Sequence, residues 1–314
     1  MENYSKTVVI TGASSGIGRA CVSQMVRADW RVFATVRKES DREKIREMGA
    51  CPVLMDMQDA GSISVAAAEI GSQLEGRGLD ALVNNAGVGW VRPIENVPLA
   101  DLRDIFEINV FGQIALTQAL LPSLRKARGR VVNITSVGVN LAIPFGGLLN
   151  ASKAAFGMLS DTLRLEMRPF GVRVIAIEPG AISTPAVEKT LGGIEKVIAD
   201  LPGDAQARYG DMLRTFARKA YAREKAGSSP DVVANAVHHA LTSNRPKIRY
   251  RVGNHARLLA NLSRFVPESI LDAIRLRMFE IPSAPENPRP SNSSGQSFSR
   301  QGRARHSSPG PVAM

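Results

Sequence analysis

The chain has 314 residues, 44% hydrophobic and 22% charged, an ordinary balance for a globular fold with one large core. A formal charge of +11 admits nucleic acid or an anionic membrane as partner, but the basic residues are scattered and only 5% of residues are aromatic, which argues against a nucleic-acid interface. No run of about 18 apolar residues marks a membrane span, the first strand-like run stands too near Met1 to leave room for a leader, and Cys21 and Cys51 give neither a disulfide framework nor a metal spacing, so a cytoplasmic chain without a metal is expected.

The first apolar run, residues 7–10, leads into Thr11-Gly12-Ala13-Ser14-Ser15-Gly16-Ile17-Gly18, after which Ile17, Ala20, Cys21, Met25 and Ala28 recur at helical spacing. Strand, glycine turn and helix in this order predict a dinucleotide cradle. Gly12, Gly16 and Gly18 let the backbone turn tightly and approach a ligand, and Ser14, Ser15 and Ile17 bring the first N–H groups of the helix to a pyrophosphate. The spacing Gly-x-x-x-Gly-x-Gly has a longer first gap than the usual fingerprint.

Further strand-like runs fall at 31–36, 52–55, 79–84, 130–135 and 172–177, with helical patterns near 41–48, 60–75, 98–126 and 148–168. Largely apolar strands separated by helices predict an α/β fold, a doubly wound parallel sheet covered by helices on both faces. Ligands in such folds bind beyond the carboxyl ends of the strands. The second strand ends in Val36-Arg37, a cation where an NAD site would place a carboxylate, which favours the 2′-phosphate of NADP. The third ends at Asp56 and Met57, where a carboxylate can meet the adenine amino group. The fourth ends Asn84-Asn85-Ala86-Gly87, amides able to tie strand ends together and small residues that leave space for a nucleotide. Asn109 lies in an otherwise apolar helix, so its amide needs partners, either in a kink or around a water. Ser136 follows the fifth strand, and Pro179-Gly180-Ala181-Ile182-Ser183-Thr184 forms a rigid turn after the sixth that shapes a nicotinamide pocket.

Taken in order, these motifs resemble the classical short-chain dehydrogenase/reductase family, over about residues 6–250. Val32–Arg37 and Leu163–Gly171 are similar to the branch with 17β-hydroxysteroid and retinol dehydrogenases. The resemblance implies a Rossmann-type fold, an NADP cofactor held by Gly12, Ser14, Ser15, Gly16, Ile17, Gly18, Arg37, Asp56, Met57, Asn84, Ala86, Gly87, Lys153, Pro179, Gly180, Ile182 and Thr184, and a homo-oligomer through helices 98–126 and 148–168. It also implies roles in catalysis. Ser136 orients the substrate carbonyl, Asn109 supports a water leading to Lys153, and Lys153 binds the nicotinamide ribose and lowers the pKa of a tyrosine four residues before it.

That tyrosine is missing, because position 149 holds leucine. Leucine has no exchangeable proton, and a positioned acid/base contributes about 10²–10⁴-fold. Of the four tyrosines, Tyr4 precedes the first strand and Tyr250 lies in a last strand, leaving Tyr209 and Tyr221 in residues 186–225, which the family uses as a flap over the substrate. Asn150 points about 100° around the helix from Leu149. His238, His239, His255 and His306 read as surface or cap residues.

Apolar positions in the flap predict a hydrophobic substrate. Residues 256–281 read as basic amphipathic helices that fit docking onto the domain or weak peripheral contact with a membrane. Residues 282–314 read as a disordered basic tail beyond a domain spanning 1–281. The expected function is NADP-dependent hydride transfer between an apolar alcohol and its carbonyl, impaired or altered at Leu149. The alternative is a non-catalytic NADP(H)-binding protein of the same fold.

Overall fold

Seven parallel strands form one sheet, the inner ones rich in residues that tolerate burial on both faces and the edges β3 and β7 more open: β1 (Lys6–Ile10), β2 (Trp30–Val36), β3 (Cys51–Leu54), β4 (Ala81–Asn84), β5 (Arg130–Ile134), β6 (Arg173–Pro179) and β7 (Arg249–Val252). The structure, a computed structural model, describes residues 6–282. The predicted tail lies outside the described residues from position 283 on. The strand order is β3-β2-β1-β4-β5-β6-β7. The chain runs outward from β1 to β3, then returns to place β4 on the other side of β1, in parallel register with Val8 against Ala81 and Ile10 against Val83. That reversal opens a crevice beyond the carboxyl ends of β1 and β4.

Twelve helices surround the sheet among the described residues: α1 (Gly16–Arg27), α2 (Arg42–Glu47), α3 (Ala60–Gln73), α4 (Leu99–Phe106), α5 (Gly112–Ala127), α6 (Gly147–Met167), α7 (Pro185–Leu191), α8 (Ile194–Ala199), α9 (Gly203–Lys225), α10 (Asp231–Thr242), α11 (Ala256–Phe265) and α12 (Glu268–Met278). Alternation along the strands sorts the core into two layers. Val8, Ile10, Val32 and Ile175 pack with Cys21 and Met25 of α1 and Val237 of α10. Val9, Phe33, Leu82 and Val131 pack with Ile70 of α3, Leu116 and Leu120 of α5 and Met167 of α6. A third apolar cluster joins Val187, Leu191, Ile198, Leu213 and Phe216 of α7–α9 to Val91 and Phe279.

The helix expected over 98–126 is two helices joined by a π turn, Glu107–Phe111. By length and composition the whole run Leu99–Ala127 is apolar enough to cross a membrane, although it holds no uninterrupted run of about 18 apolar residues; half of its most apolar stretch is buried, as in a core helix. At Gly112 a Cβ would stand 2.2 Å from the Met57 carbonyl oxygen, so only glycine lets this helix pass so close to the segment after β3. At the far edge, Glu178 of β6 is 1% exposed and is neutralised by Arg249 and Arg251 of β7, the latter through Nε at 3.1 Å.

Candidate functional site

The glycine turn is pressed against the end of β4. Gly12 and Gly16 have φ of +64° and +55°, the left-handed region. A Cβ on Gly12 would lie 2.8 Å from the Cα of Ala86, and one on Gly18 2.2 Å from the Gly12 carbonyl oxygen. Thr11 and Asn85 fix this approach: the Thr11 hydroxyl accepts from the N–H groups of Asn85 and Ala86 at 2.8 and 2.9 Å, and Asn85 Nδ2 donates to the Thr11 carbonyl at 2.9 Å. Sequence reasoning expected the Asn84-Asn85 amides to tie strand ends together, as Asn85 does here, but counted neither Thr11 nor Asn85 among the cofactor-binding residues.

Ser15 is the N-cap of α1 and its side chain makes no capping bond, so the first N–H groups of this 12-residue helix face the cleft without a side-chain partner. Ser14 is exposed, Ile17 half-buried, and Thr184 Cβ stands 3.3 Å from where a Cβ on Gly16 would be. The turns after β1 and β6 therefore face each other. Gly180 and Ile182 are tied elsewhere, Gly180 N–H to the Val252 carbonyl at 2.8 Å and Ile182 in a bridge to Ser228, while Pro179 closes β6. The cradle fits a dinucleotide: its glycines admit no side chain, and its donors are left open.

Arg37 follows the buried Val36, is exposed and makes no ion pair with the described residues. Asp56 Oδ1 accepts from Gln58 N–H at 3.0 Å, and Met57 is buried. Asn84 is 1% exposed and turned into the sheet, its Nδ2 donating to Asn133 Oδ1 and Thr117 Oγ1, both at 2.9 Å. Its side chain serves the sheet, not the cleft. Gln113, also missed in the sequence, is buried and donates to the Ala86 carbonyl.

Asn109 stands in the π turn with no exposed surface. Its Oδ1 accepts from Val88 N–H at 2.8 Å, and its Nδ2 donates to the Val88 carbonyl at 2.9 Å and to Ser152 Oγ at 3.0 Å. Ser152 in turn donates to the Leu149 carbonyl at 2.9 Å. Lys153 Nζ donates to the Ile134 carbonyl at 2.9 Å. Gly87 is where these groups meet: a Cβ there would lie 3.1 Å from Asn109 Oδ1 and 3.4 Å from Lys153 Nζ. No carboxylate pairs with Lys153 among the described residues, and burial pushes its ammonium down to about 8. Ser136 caps the short turn Val137–Asn140, its Oγ accepting from Gly138 N–H at 3.0 Å.

Leu149 sits one turn before Lys153, half-buried. Its Cδ2 is 3.2 Å from where a Cβ on Gly89 would be, and Thr190 Cγ2 of α7 is 3.6 Å from the same point; the Thr190 hydroxyl donates to the Gly89 carbonyl at 3.2 Å. The flap thus closes on the leucine. Neither flap tyrosine replaces a phenol at this point. Tyr221 donates to Glu188 Oε2 at 2.7 Å, which holds its pKa above the ordinary value, and both line a cavity of about 240 Å³ with Ser183, Thr184 and Lys225. Tyr209 packs edge-on against Phe145, with ring centroids 6.2 Å apart. Asn150 is engaged with the Leu141 carbonyl at 2.8 Å, and His239 with the Tyr250 hydroxyl at 2.9 Å.

The model of the short chain dehydrogenase family matches residues 6–193. Retinol dehydrogenase 5 of Homo sapiens is 36% identical over 278 residues, covering 85% of this chain and 86% of that protein. The 17-beta-hydroxysteroid dehydrogenase type 6 of Rattus norvegicus is 33% identical over 292 residues, covering 86% and 88%. Among solved structures, a short-chain dehydrogenase from Streptomyces avermitilis superposes with a TM-score of 0.66 at 30% identity, covering 88% of this chain and 96% of its own. With the crevice, the glycine turn and the Asn109–Ser152–Lys153 group assembled on one sheet, the chain belongs to the short-chain dehydrogenase family, in the branch of retinol dehydrogenase 5 and 17-beta-hydroxysteroid dehydrogenase type 6.

Proposed function

We propose that this chain is an NADP-dependent oxidoreductase that interconverts an apolar alcohol and its carbonyl, with turnover impaired at Leu149. The observation that carries it is the meeting of Asn109 Oδ1 and Lys153 Nζ over the Cα of Gly87, beside the glycine turn. A bound nicotinamide supplies or accepts the hydride. The residues do the rest. The turn at 12–18 and the open N-terminus of α1 receive the pyrophosphate, Arg37 takes the 2′-phosphate, Lys153 holds the ribose, and Ser136 orients the substrate oxygen. An apolar substrate is supported by Val187 and Leu191 in the flap cluster and by the substrates that the names of the two relatives imply for those proteins.

At position 149 no proton moves. The missing acid/base raises the barrier by roughly 3–5 kcal/mol, while cofactor binding does not need a phenol. One observation favours the second reading, a binder of NADP(H) without turnover: Leu149 is packed against Gly89 and under Thr190, as a wall of the pocket. Exposed Phe111, Met158 and Leu165 on the helices of residues 98–126 and 148–168 support a homo-oligomer through those faces.

Single-turnover oxidation of bound NADPH, followed by its fluorescence against a panel of apolar ketones and aldehydes, tests this with Leu149→Tyr beside the native chain. The native chain is expected to bind NADPH and to oxidise it about 10²–10⁴-fold more slowly than the variant. Equal rates would overturn the impairment. Oxidation by neither chain would leave the binding protein, and failure to bind NADPH would overturn both readings.

A further inference from the structure

The two last helices are each held to the domain by one side. Ala256 and Ala260 of α11 are buried, as are Leu271 and Arg275 of α12 and the neighbouring Phe279. Phe279 packs on Phe216 of α9 with ring centroids 4.9 Å apart, and Lys219 of α9 pairs with Glu280 at 2.5 Å. Other faces of both helices are apolar as well, on α12 about 100° around the helix from the buried residues. On α11, Leu258 and Phe265 stand seven residues apart and are 56% and 76% exposed; on α12, Ile270, Ile274 and Met278 recur every four residues and are 51%, 42% and 39% exposed. Spacings of four and seven place each set on one stripe of its helix. Leu258, Ile270 and Ile274 lie off the faces that dock onto the domain, while Met278 Sδ at the end of its stripe also accepts from Arg223 Nη1 of α9 at 3.2 Å.

The charges beside these stripes have one sign. Arg257 adjoins Leu258 and Arg277 adjoins Met278; both are exposed and neither makes an ion pair with the described residues. The acids of α12 are already engaged, Glu268 and Asp272 both reaching Arg275, at 2.5 and 2.8 Å. The chain as a whole carries +11.

We propose that the outer faces of α11 and α12 dock onto an anionic phospholipid surface, with the apolar stripes entering the acyl boundary and Arg257 and Arg277 meeting the headgroup phosphates. Large aliphatic residues flanked by arginines match an interface that is apolar below and negative above. A second copy of the chain fits worse, because a two-fold contact sets the same unpaired arginines against each other.

The test is co-sedimentation of the full chain with vesicles of phosphatidylcholine alone and of phosphatidylcholine mixed with phosphatidylserine. Two variants run beside it, the triple Ile270→Ser/Ile274→Ser/Met278→Ser and the double Arg257→Glu/Arg277→Glu, with thermal melting and NADPH binding as checks on the fold. The native chain should bind the mixed vesicles, bind the neutral ones weakly and lose affinity in high salt, and each variant should bind about tenfold less with an unchanged melting temperature. If the triple variant does not fold, the double variant decides, since its positions are exposed. Equal binding by native and variant chains would overturn the proposal and assign the attraction to basic residues elsewhere. Absence of vesicle binding would overturn it too, and so would self-association that the triple variant abolishes, which would make a second copy the occupant.

Discussion

Lys153 is buried as a cation with a carbonyl for a partner and no carboxylate among the described residues, so the fold bears a cost whenever that ammonium is charged. Below about 8, its value in the fold, native and unfolded chains both hold the proton and the cost is complete. Between about 8 and the ordinary 10.5 the native chain has released the proton and the unfolded chain still binds it, so stability from this group rises with pH. Lys153→Met is therefore expected to be more stable than the native chain at pH 7, by roughly 2–3 kcal/mol after about 1 kcal/mol for the lost hydrogen bond. The gain should shrink as pH rises through that window. Urea unfolding of both chains at a series of pH values measures the difference. A constant difference would mean that Lys153 keeps its proton on both sides. In the proposed reading, the same residue costs stability for the sake of holding the ribose.

At the scale of elements, the junction of α4 and α5 shows where the sequence was legible and where it was not. The strands announce themselves because a sheet buried on both faces leaves continuous apolar runs, as in 7–10 and 130–134. The glycine turn announces itself because its glycines have no substitute. The π turn does not, because residues 105–112 keep helical spacing on either side of it and only the backbone reveals the extra residue in the turn. That Thr11 is the partner of Asn85 was hidden for another reason, since the two lie 74 residues apart in the chain. Gly112 belongs to the same class of hidden constraint. Gly112→Ala would thrust a Cβ to 2.2 Å from the Met57 carbonyl oxygen, a backbone atom that cannot swing aside. The expected cost is about 1–3 kcal/mol, or more if the helix cannot shift. Thermal unfolding measures it, and an unchanged midpoint would show that the helix moves away from β3 freely.

Across the whole molecule, one sheet carries every part of the candidate site, and the inside and outside of its last helices were the least legible feature of the sequence. The pattern of 256–281 is amphipathic twice over, and only packing decides that Ala256, Ala260, Leu271 and Phe279 face the domain while Leu258, Ile270 and Ile274 do not. Deeper in, Asn84, Asn133, Thr117 and Ser160 form a chain of side-chain hydrogen bonds from α5 through β4 and β5 to α6, the helix of Lys153, with Asn133 Nδ2 donating to Ser160 Oγ at 2.7 Å. Each of the four is 3% exposed or less. Seen through solvent exchange, those two carboxamides are clocks set inside the sheet. Their protons meet water only when β4 and β5 part, so by NMR the Asn84 and Asn133 side-chain amides should exchange with deuterium at the pace of the slowest core backbone amides. The amide of Asn150, on the rim of the same helix, should exchange at the much faster pace of the loop it holds.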